Sequence, residues 1–486
     1  MNYKNRTILV TFSNLFNTLS NLFLTVGLAW IIIDKDQFGR IQQILMIISF
    51  CYSIISGFPT GLSYFYGKYV STTNRTNLFK KTFFSLFLAA IFLCFIIFLV
   101  KDELSLEFKN VSITNNIILI LLLLFLRLLG SYFINFFVLI RRESNLMLIN
   151  FVFLVLNIFL ITFLFVYKNY ALIEIVLWFL IVIELFRTSS YFILAKRYLF
   201  LGNNYLVKKK EFQYILSVTG ITILNTFYVF VDKYMIAAML DPKSYADYQI
   251  GAFVVPFIGI ITGSAMTTLM PLLSKLKEQG KLNEIRVKLK STTKYTTLIL
   301  LPIFSFCLIF GKELIVAIYS DNYELSGEIF QIYTLRYFTA VILFSMTMAS
   351  IGLQNWVLLS SMFSLVINIV LNYFFILEFG VMGAVYATVI TGYLGIFLPI
   401  ILINRALKCG VSSYFPFKMY LIILFSSIFL AYIIHYLVFE VNTNSNVLVF
   451  PISIGFYILN ILFFNKLFKI FNTDKLFHKI KFLFNK

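Results

Sequence analysis

Histidine occurs only twice in the 486 residues of this chain, and cysteine four times. His435 and His478 stand far apart. Cys51, Cys94 and Cys307 lie in apolar runs and Cys409 in a basic loop, so neither a disulfide framework nor a CxxC metal site is present. No glycine-rich loop ends in Lys-Ser or Lys-Thr, which removes the usual cradle for a nucleoside triphosphate. The sequence therefore predicts neither a metal nor a cofactor. Charge is scarce as well: 13% of residues are charged, against roughly 25% in ordinary soluble domains. Glycine (21) and proline (8) are modest, so long helices meet few interruptions.

What is abundant is apolar surface. Hydrophobic residues make up 60% of the chain, with 58 Phe and 29 Tyr, and mean hydropathy is +0.91. Such a chain is an integral membrane protein, and its apolar runs are too continuous for the alternating strands of a barrel. Lys and Arg outnumber Asp and Glu 40 to 21. On a soluble protein that excess would suggest nucleic acid. In a membrane protein it marks cytoplasmic loops, and no nucleic-acid partner is expected.

About 20 apolar residues cross a bilayer core. Fourteen runs satisfy that ruler: 8–33, 40–66, 82–100, 117–140, 146–167, 172–195, 213–239, 249–273, 296–319, 329–353, 357–377, 381–403, 419–439 and 447–465. The first is too long for a signal peptide and has no small-residue cleavage site, so it is expected to remain as a span. With both termini in the cytoplasm, the inner loops collect most of the Lys and Arg, and the outer loops stay short.

Weak repetition links the halves. Asp34–Gln43 (DKDQFGRIQQ) resembles Asp241–Ile250 (DPKSYADYQI), Asn157 falls opposite Asn368, and Arg127 opposite Arg336, at offsets of 207, 211 and 209. The expected architecture is all-α and polytopic, with two pseudo-symmetric six-helix lobes: 1–195, a basic linker 196–212, 213–403, two appended helices in 404–465, and a basic tail 466–486. Parallel repeats of this kind are common in transporters. The tail mixes Lys with Phe, Leu and Ile and suits either an amphipathic surface helix or a solvated end.

Six charges fall inside spans: Arg127, Glu184, Arg187, Asp232, Lys233 and Arg336. Each costs roughly 2.5–3.5 kcal/mol or more at a helix centre unless it finds a partner or water. Glu184 and Arg187 are three apart and can neutralise each other on one face. Asp232 and Lys233 are adjacent and point apart, so each needs a partner elsewhere. Arg127 and Arg336 either bind carbonyls in their own bundles or face an anion, for which guanidinium is the natural fork. The first span adds a stripe, Asn14, Asn17, Asn21 and Thr25, which the seventh echoes with Asn225, Tyr228 and Asp232. Such stripes either glue helices together or wall a cavity. The cavity reading, a water-filled cleft between the lobes, makes Asp232, Lys233, Arg127, Arg336, Asn14, Asn17, Asn21, Asn225 and Tyr228 candidate substrate contacts, with Asp232 and Glu184 as candidates for ion coupling. Pro59, Pro256, Pro271, Pro302 and Pro399 interrupt spans where helices can bend.

Phe230–Phe257 (FVDKYMIAAMLDPKSYADYQIGAFVVPF), LQNW at 353–356 and EFGVMGAVYATVI at 378–390, within this two-lobed plan, resemble the Wzx-type polysaccharide flippases. These are grouped with the MATE exporters and the lipid II flippase. The resemblance implies a bacterial inner-membrane protein, not an enzyme, that turns an undecaprenyl-pyrophosphate-linked oligosaccharide for O-antigen, lipopolysaccharide, capsule or exopolysaccharide from the inner to the outer leaflet. It further implies lobes that rock around a cationic cleft, an H+ or Na+ gradient as the drive, and membrane lipids, polymerases and glycosyltransferases as partners. Carried over by position, only Asp232 and Lys233 match the family's acidic-basic segment. Two rivals stand beside it: a MATE-like multidrug exporter, and a glycosyltransferase or polymerase using Asp34-Lys35-Asp36 as a metal site. A passive scramblase would have no need of buried charge.

Overall fold

The computed structural model describes residues 3–68, 72–166, 173–199, 209–253, 255–440 and 449–468. Much of the expected linker and nearly all of the expected tail fall outside them. The protein is all-α and polytopic. Most of the described residues in the fourteen expected runs are helical, but the 249–273 run is interrupted between Gly251 and Pro256. Eleven helices among the described residues are long and apolar enough to cross a membrane, and twelve if a pair bent by 43° between Leu224 and Thr226 is one span. The chain forms two compact units, Met1–Ala246 and Asp247–Lys486.

The first unit holds α1 (Tyr3–Ile31), α2 (Lys35–Ile55), α3 (Gly57–Lys68), α4 (Thr72–Leu99), the short α5 (Lys101–Glu107) and α6 (Ser112–Asn115), then α7 (Ile117–Leu139), α8 (Glu143–Val166), α9 (Ile173–Leu199) and α10 (Lys209–Met239). The boundary between the units falls inside α11 (Pro242–Gly251). Pro59 explains why the second run is two helices: its ring has no place beside the carbonyl four residues earlier, and α2 stops at Ile55.

Three polar rungs seven residues apart pin α1 to α8. Arg6 pairs with Glu143, Asn150 donates to the Ser13 hydroxyl at 2.8 Å, and Asn157 donates to the Ser20 hydroxyl at 2.9 Å. Each rung joins residues 137 apart, so the helices run parallel in fixed register. A seven-residue repeat is the period at which two helices keep the same faces together. α10 packs on α2 and α3. Gly57 and Gly61 make that approach possible, since a Cβ on Gly57 would lie 1.9 Å from Thr219 Oγ1 and one on Gly61 2.6 Å from Ile215 Cγ1.

The second unit comprises α12 (Pro256–Glu278), α13 (Leu282–Tyr319), α14 (Glu324–Thr334), α15 (Phe344–Ser350), α16 (Gln354–Phe379), α17 (Val381–Leu394), α18 (Phe397–Leu407), α19 (Phe417–His435) and α20 (Val449–Phe468). The expected span 329–353 is not one helix: α14 tightens into a 3-10 turn at Leu335–Thr339 and a bend before α15 resumes. Side chains from three neighbours serve the carbonyls this break frees. Tyr393 donates to Leu335 O at 2.9 Å, Tyr420 to Phe338 O at 2.9 Å and Thr296 to Val341 O at 2.7 Å, which is how non-helical backbone is tolerated at membrane depth. α16 and α17 form a tight hairpin within the EFGVMGAV stretch. Gly380 adopts φ +57°, and a Cβ on Gly383 would lie 1.9 Å from Phe375 O.

Candidate functional site

A cavity of about 240 Å³ opens inside the first unit. Helical periodicity assembles its wall. Asn17 and Asn21 come from α1, Ser49 and Tyr52 from α2, Arg127, Gly130, Ser131 and Ile134 from α7, Phe153 from α8, and Glu184 and Arg187 from α9. Arg127, Gly130, Ser131 and Ile134 recur at i, i+3, i+4 and i+7, one face of α7. Glu184 and Arg187 share a face of α9 in the same way.

Glu184 is 3% exposed and its Oε1 lies 3.6 Å from Arg187 Nη1. The pairing expected from sequence therefore forms, but it does not use up the arginine. The Arg187 Nε is buried without a hydrogen-bond partner among the described residues. Its guanidinium stacks 4.3 Å over the Phe153 ring and 5.8 Å from that of Tyr191, an arrangement that stabilises a cation away from water. Arg127 is the second cation here, drawn to Glu184 and opposed by Arg187. Two arginines and one carboxylate thus line the cavity, a formal excess of one positive charge. Tyr191 donates to Asn150 Oδ1 at 2.7 Å, which links this wall to the rungs between α1 and α8.

The structure brings Arg127, Glu184, Asn17 and Asn21 together around a cavity inside the first unit. Asn14, one turn before Asn17, is exposed and does not line it. Thr25 spends its hydroxyl on Asn21 O in its own helix at 3.0 Å. Asp232 is 5% exposed on α10 and accepts from the Lys233 backbone N–H at 2.8 Å. Lys233 lies 5.7 Å from the Phe230 ring, Tyr228 is exposed, and the Asn225 side chain lies outside the described residues. Arg336, in the second unit, donates to the Tyr333 hydroxyl and sits 4.8 and 5.4 Å from the Tyr333 and Tyr337 rings. Sequence reasoning assigned Arg187 only to its pair with Glu184, and it passed over Ser49, Tyr52, Ser131 and Phe153. The signal for Arg187 was the odd count: two arginines against one acid within the apolar runs of α7 and α9.

The acidic triplet after the first span has local duties. Asp34 accepts from the Asp36 N–H at 3.0 Å as the N-cap of α2, and Asp36 accepts from Arg40 Nε at 2.6 Å. Its repeat partner Asp241 accepts from the Ser244 N–H at 2.6 Å at the start of α11, so the resembling stretches place the same cap in the same role.

Comparison with known proteins is consistent with this architecture. The solved lipid II flippase MurJ, in an inward closed conformation, aligns with TM-score 0.70 at 18% identity, over 95% of this chain and 98% of that one. An inward-facing multidrug resistance MATE family transporter of the MOP superfamily aligns with TM-score 0.63 at 14% identity, over 81% and 96%. A MOP superfamily transporter from Pyrococcus furiosus, titled for the reverse polarity of its binding pocket, aligns with TM-score 0.53 at 15% identity, over 82% and 95%. At these identities the likeness is one of fold. No curated protein matches by sequence. A family model described as polysaccharide biosynthesis protein matches residues 28–328, more than half of the chain. This chain, a multi-pass membrane protein with the MOP-superfamily fold, belongs to the polysaccharide biosynthesis protein family.

Proposed function

We propose that the protein is a flippase that carries an undecaprenyl-pyrophosphate-linked oligosaccharide across the bacterial cytoplasmic membrane by alternating access, with both termini in the cytoplasm. The observation that carries this reading is the cavity in which Arg127 and Arg187 outnumber Glu184, in a chain of a polysaccharide biosynthesis family. A pyrophosphate and its sugars cannot enter hydrocarbon unaided. A surplus guanidinium offers phosphate oxygens a fork of donors, while Asn17, Asn21, Ser49 and Ser131 offer hydrogen bonds to hydroxyls. An acidic cavity would serve a cationic drug better, which argues against the multidrug exporter. Asp232, Lys233, Arg336, Asn14, Asn225 and Tyr228 remain candidate substrate contacts outside this cavity. Asp232 and Glu184 are the carboxylates whose occupancy by H+ or Na+ would bias two states. Glycosyltransferases would supply the lipid-linked glycan and a polymerase would consume it.

Deletion in the native host should accumulate lipid-linked glycan on the inner leaflet, and purified protein in vesicles should move a fluorescent lipid-linked oligosaccharide between leaflets. Vesicles that move it no faster than empty ones would overturn the reading.

A further inference from the structure

A second concavity of the first unit, about 960 Å³, lies at the N-terminal ends of three helices that also wall the charged cavity. It takes Gln37 from α2, Ile117 from α7 and Trp178 from α9, where the cavity takes Ser49, Arg127 and Glu184 from the same helices. At 1.5 Å per residue those offsets set the two spaces about 9–18 Å apart along the helix axes. With both termini in the cytoplasm, the concavity is on the outer side.

Its frame is fixed by one amide. Asn110, fully buried, donates to Arg40 O at 3.0 Å and to Gln43 Oε1 at 2.9 Å, and Arg40 donates to Lys109 O at 3.2 Å. The segment that leads to Asn115 is thereby clasped to α2. Two of the acids at the rim are already engaged: Asp34 caps α2, and Asp36 pairs with Arg40 at 2.6 Å. The polar ends of Gln37, Asn115 and Glu174 have no hydrogen-bond partner among the described residues. Trp178, one turn along α9 from Glu174, is 48% exposed.

Two carboxamides that both donate and accept, a carboxylate that accepts, and a flat indole thus face one space. A pyranose carries hydroxyls around its rim and an apolar C–H face, which suits the same set with the sugar ring lying on Trp178. Carboxylates outnumber Arg40 three to one in the lining, a balance that disfavours phosphates and uronates. A tryptophan that merely anchors a helix at the lipid interface needs no such neighbours. We propose that this concavity is a subsite for neutral or amino sugars, separate from the cationic cavity, which receives the glycan on the outer side. The inference rests on the flippase reading above.

The test mixes full-length protein in phosphatidylcholine nanodiscs with the host's own glycan, freed of lipid and diphosphate by mild acid, and reads binding by saturation-transfer NMR. Wild type should bind. Trp178→Ala should weaken binding about tenfold, the loss of one aromatic contact, while Trp178→Phe keeps most of it. Glu174→Gln should weaken it about threefold. Thermal stability should be unchanged in all three, since both side chains are exposed, and trigalacturonic acid should not compete. Absence of binding to wild type, equal binding by Trp178→Ala, or competition by trigalacturonic acid would overturn the proposal and leave Trp178 as a lipid anchor. Vesicle transport is measured separately. Wild type that moves the lipid-linked glycan but binds no free glycan would sink this subsite alone, and wild type that binds it but moves none would sink the flippase reading alone.

Discussion

Tyr191 donates its hydroxyl hydrogen to Asn150 Oδ1 at 2.7 Å, and Asn150 in turn donates to Ser13 at 2.8 Å. Through this pair the wall of the cavity is tied to the register of α1 on α8, since the Arg187 guanidinium lies 5.8 Å from the Tyr191 ring. Tyr191→Phe keeps the ring beside Arg187 and removes the bond to Asn150. Side-chain hydrogen bonds between membrane helices are worth about 0.6 kcal/mol on average and about 1.7 at most. A thermal-shift measurement in detergent should show a modest loss of stability, with transport falling in proportion, since the ring beside Arg187 is kept.

Arg187→Gln should destabilise more strongly. It removes the ion-pair partner of Glu184, which is 3% exposed and keeps only the unbridged Arg127 in the same cavity, and breaking a buried pair from one side costs up to about 3–5 kcal/mol. Glu184→Gln instead leaves two guanidiniums together without a counter-charge. The double variant leaves Arg127 as the single charge, with neither an unpaired carboxylate nor two facing guanidiniums, so its stability should exceed that of Arg187→Gln alone. A double-mutant cycle checks this, and simple additivity of the two losses would show that the 3.6 Å pair is not coupled in the protein.

Arg127→Ala separates folding from function. It leaves the Glu184–Arg187 pair intact and brings the cavity from one positive charge to neutrality. Stability should hold while vesicle transport falls about tenfold or more, as expected for losing one charge-assisted contact of about 1.5–3 kcal/mol. The same loss without a change in transport would exclude Arg127 from the substrate's path.

Much of this arrangement was legible in the sequence because it is one-dimensional. Run length places the helices, and a spacing of three or four places Asn17 with Asn21 and Glu184 with Arg187. Which faces meet is not one-dimensional. Ser13 and Ser20 looked unremarkable beside the asparagine stripe, and only their seven-residue match to Asn150 and Asn157 makes them rungs. Arg336 repeats Arg127 in sequence, yet its helix breaks into a 3-10 turn and its guanidinium rests on Tyr333 and Tyr337. Local propensity did not foretell that break because its carbonyls are satisfied from α13, α17 and α19, far along the chain.

The acidic triplet discriminates between a cap and a metal site. Asp34→Ala should cost about 0.5–2 kcal/mol, the usual loss of an N-cap, whereas Asp34→Asn, an equally good cap without charge, should cost almost nothing. A metal-dependent transferase would lose activity in both. Thermal shift and glycan transport on the two variants check this: full transport in Asp34→Asn supports the cap, and a dead Asp34→Asn variant of normal stability would restore the enzyme reading.

The broken span of the second unit supplies a last expectation. Tyr393, Tyr420 and Thr296 each serve one freed carbonyl, at Leu335, Phe338 and Val341. In Tyr420→Phe the ring stays and only the donor is lost, leaving Phe338 O without that bond at membrane depth, at a cost of about 1–3 kcal/mol. Thr296→Val should cost a similar amount, because the Thr296 hydroxyl is buried and cannot be replaced by bulk water. Combining the two should loosen Leu335–Val341 more than α14 (Glu324–Thr334). Hydrogen exchange of the backbone amides through 335–343 reads this directly: faster exchange confined to that stretch is the expected result, and uniform exchange across α14 and α15 would show that the side-chain donors do not hold the break in place.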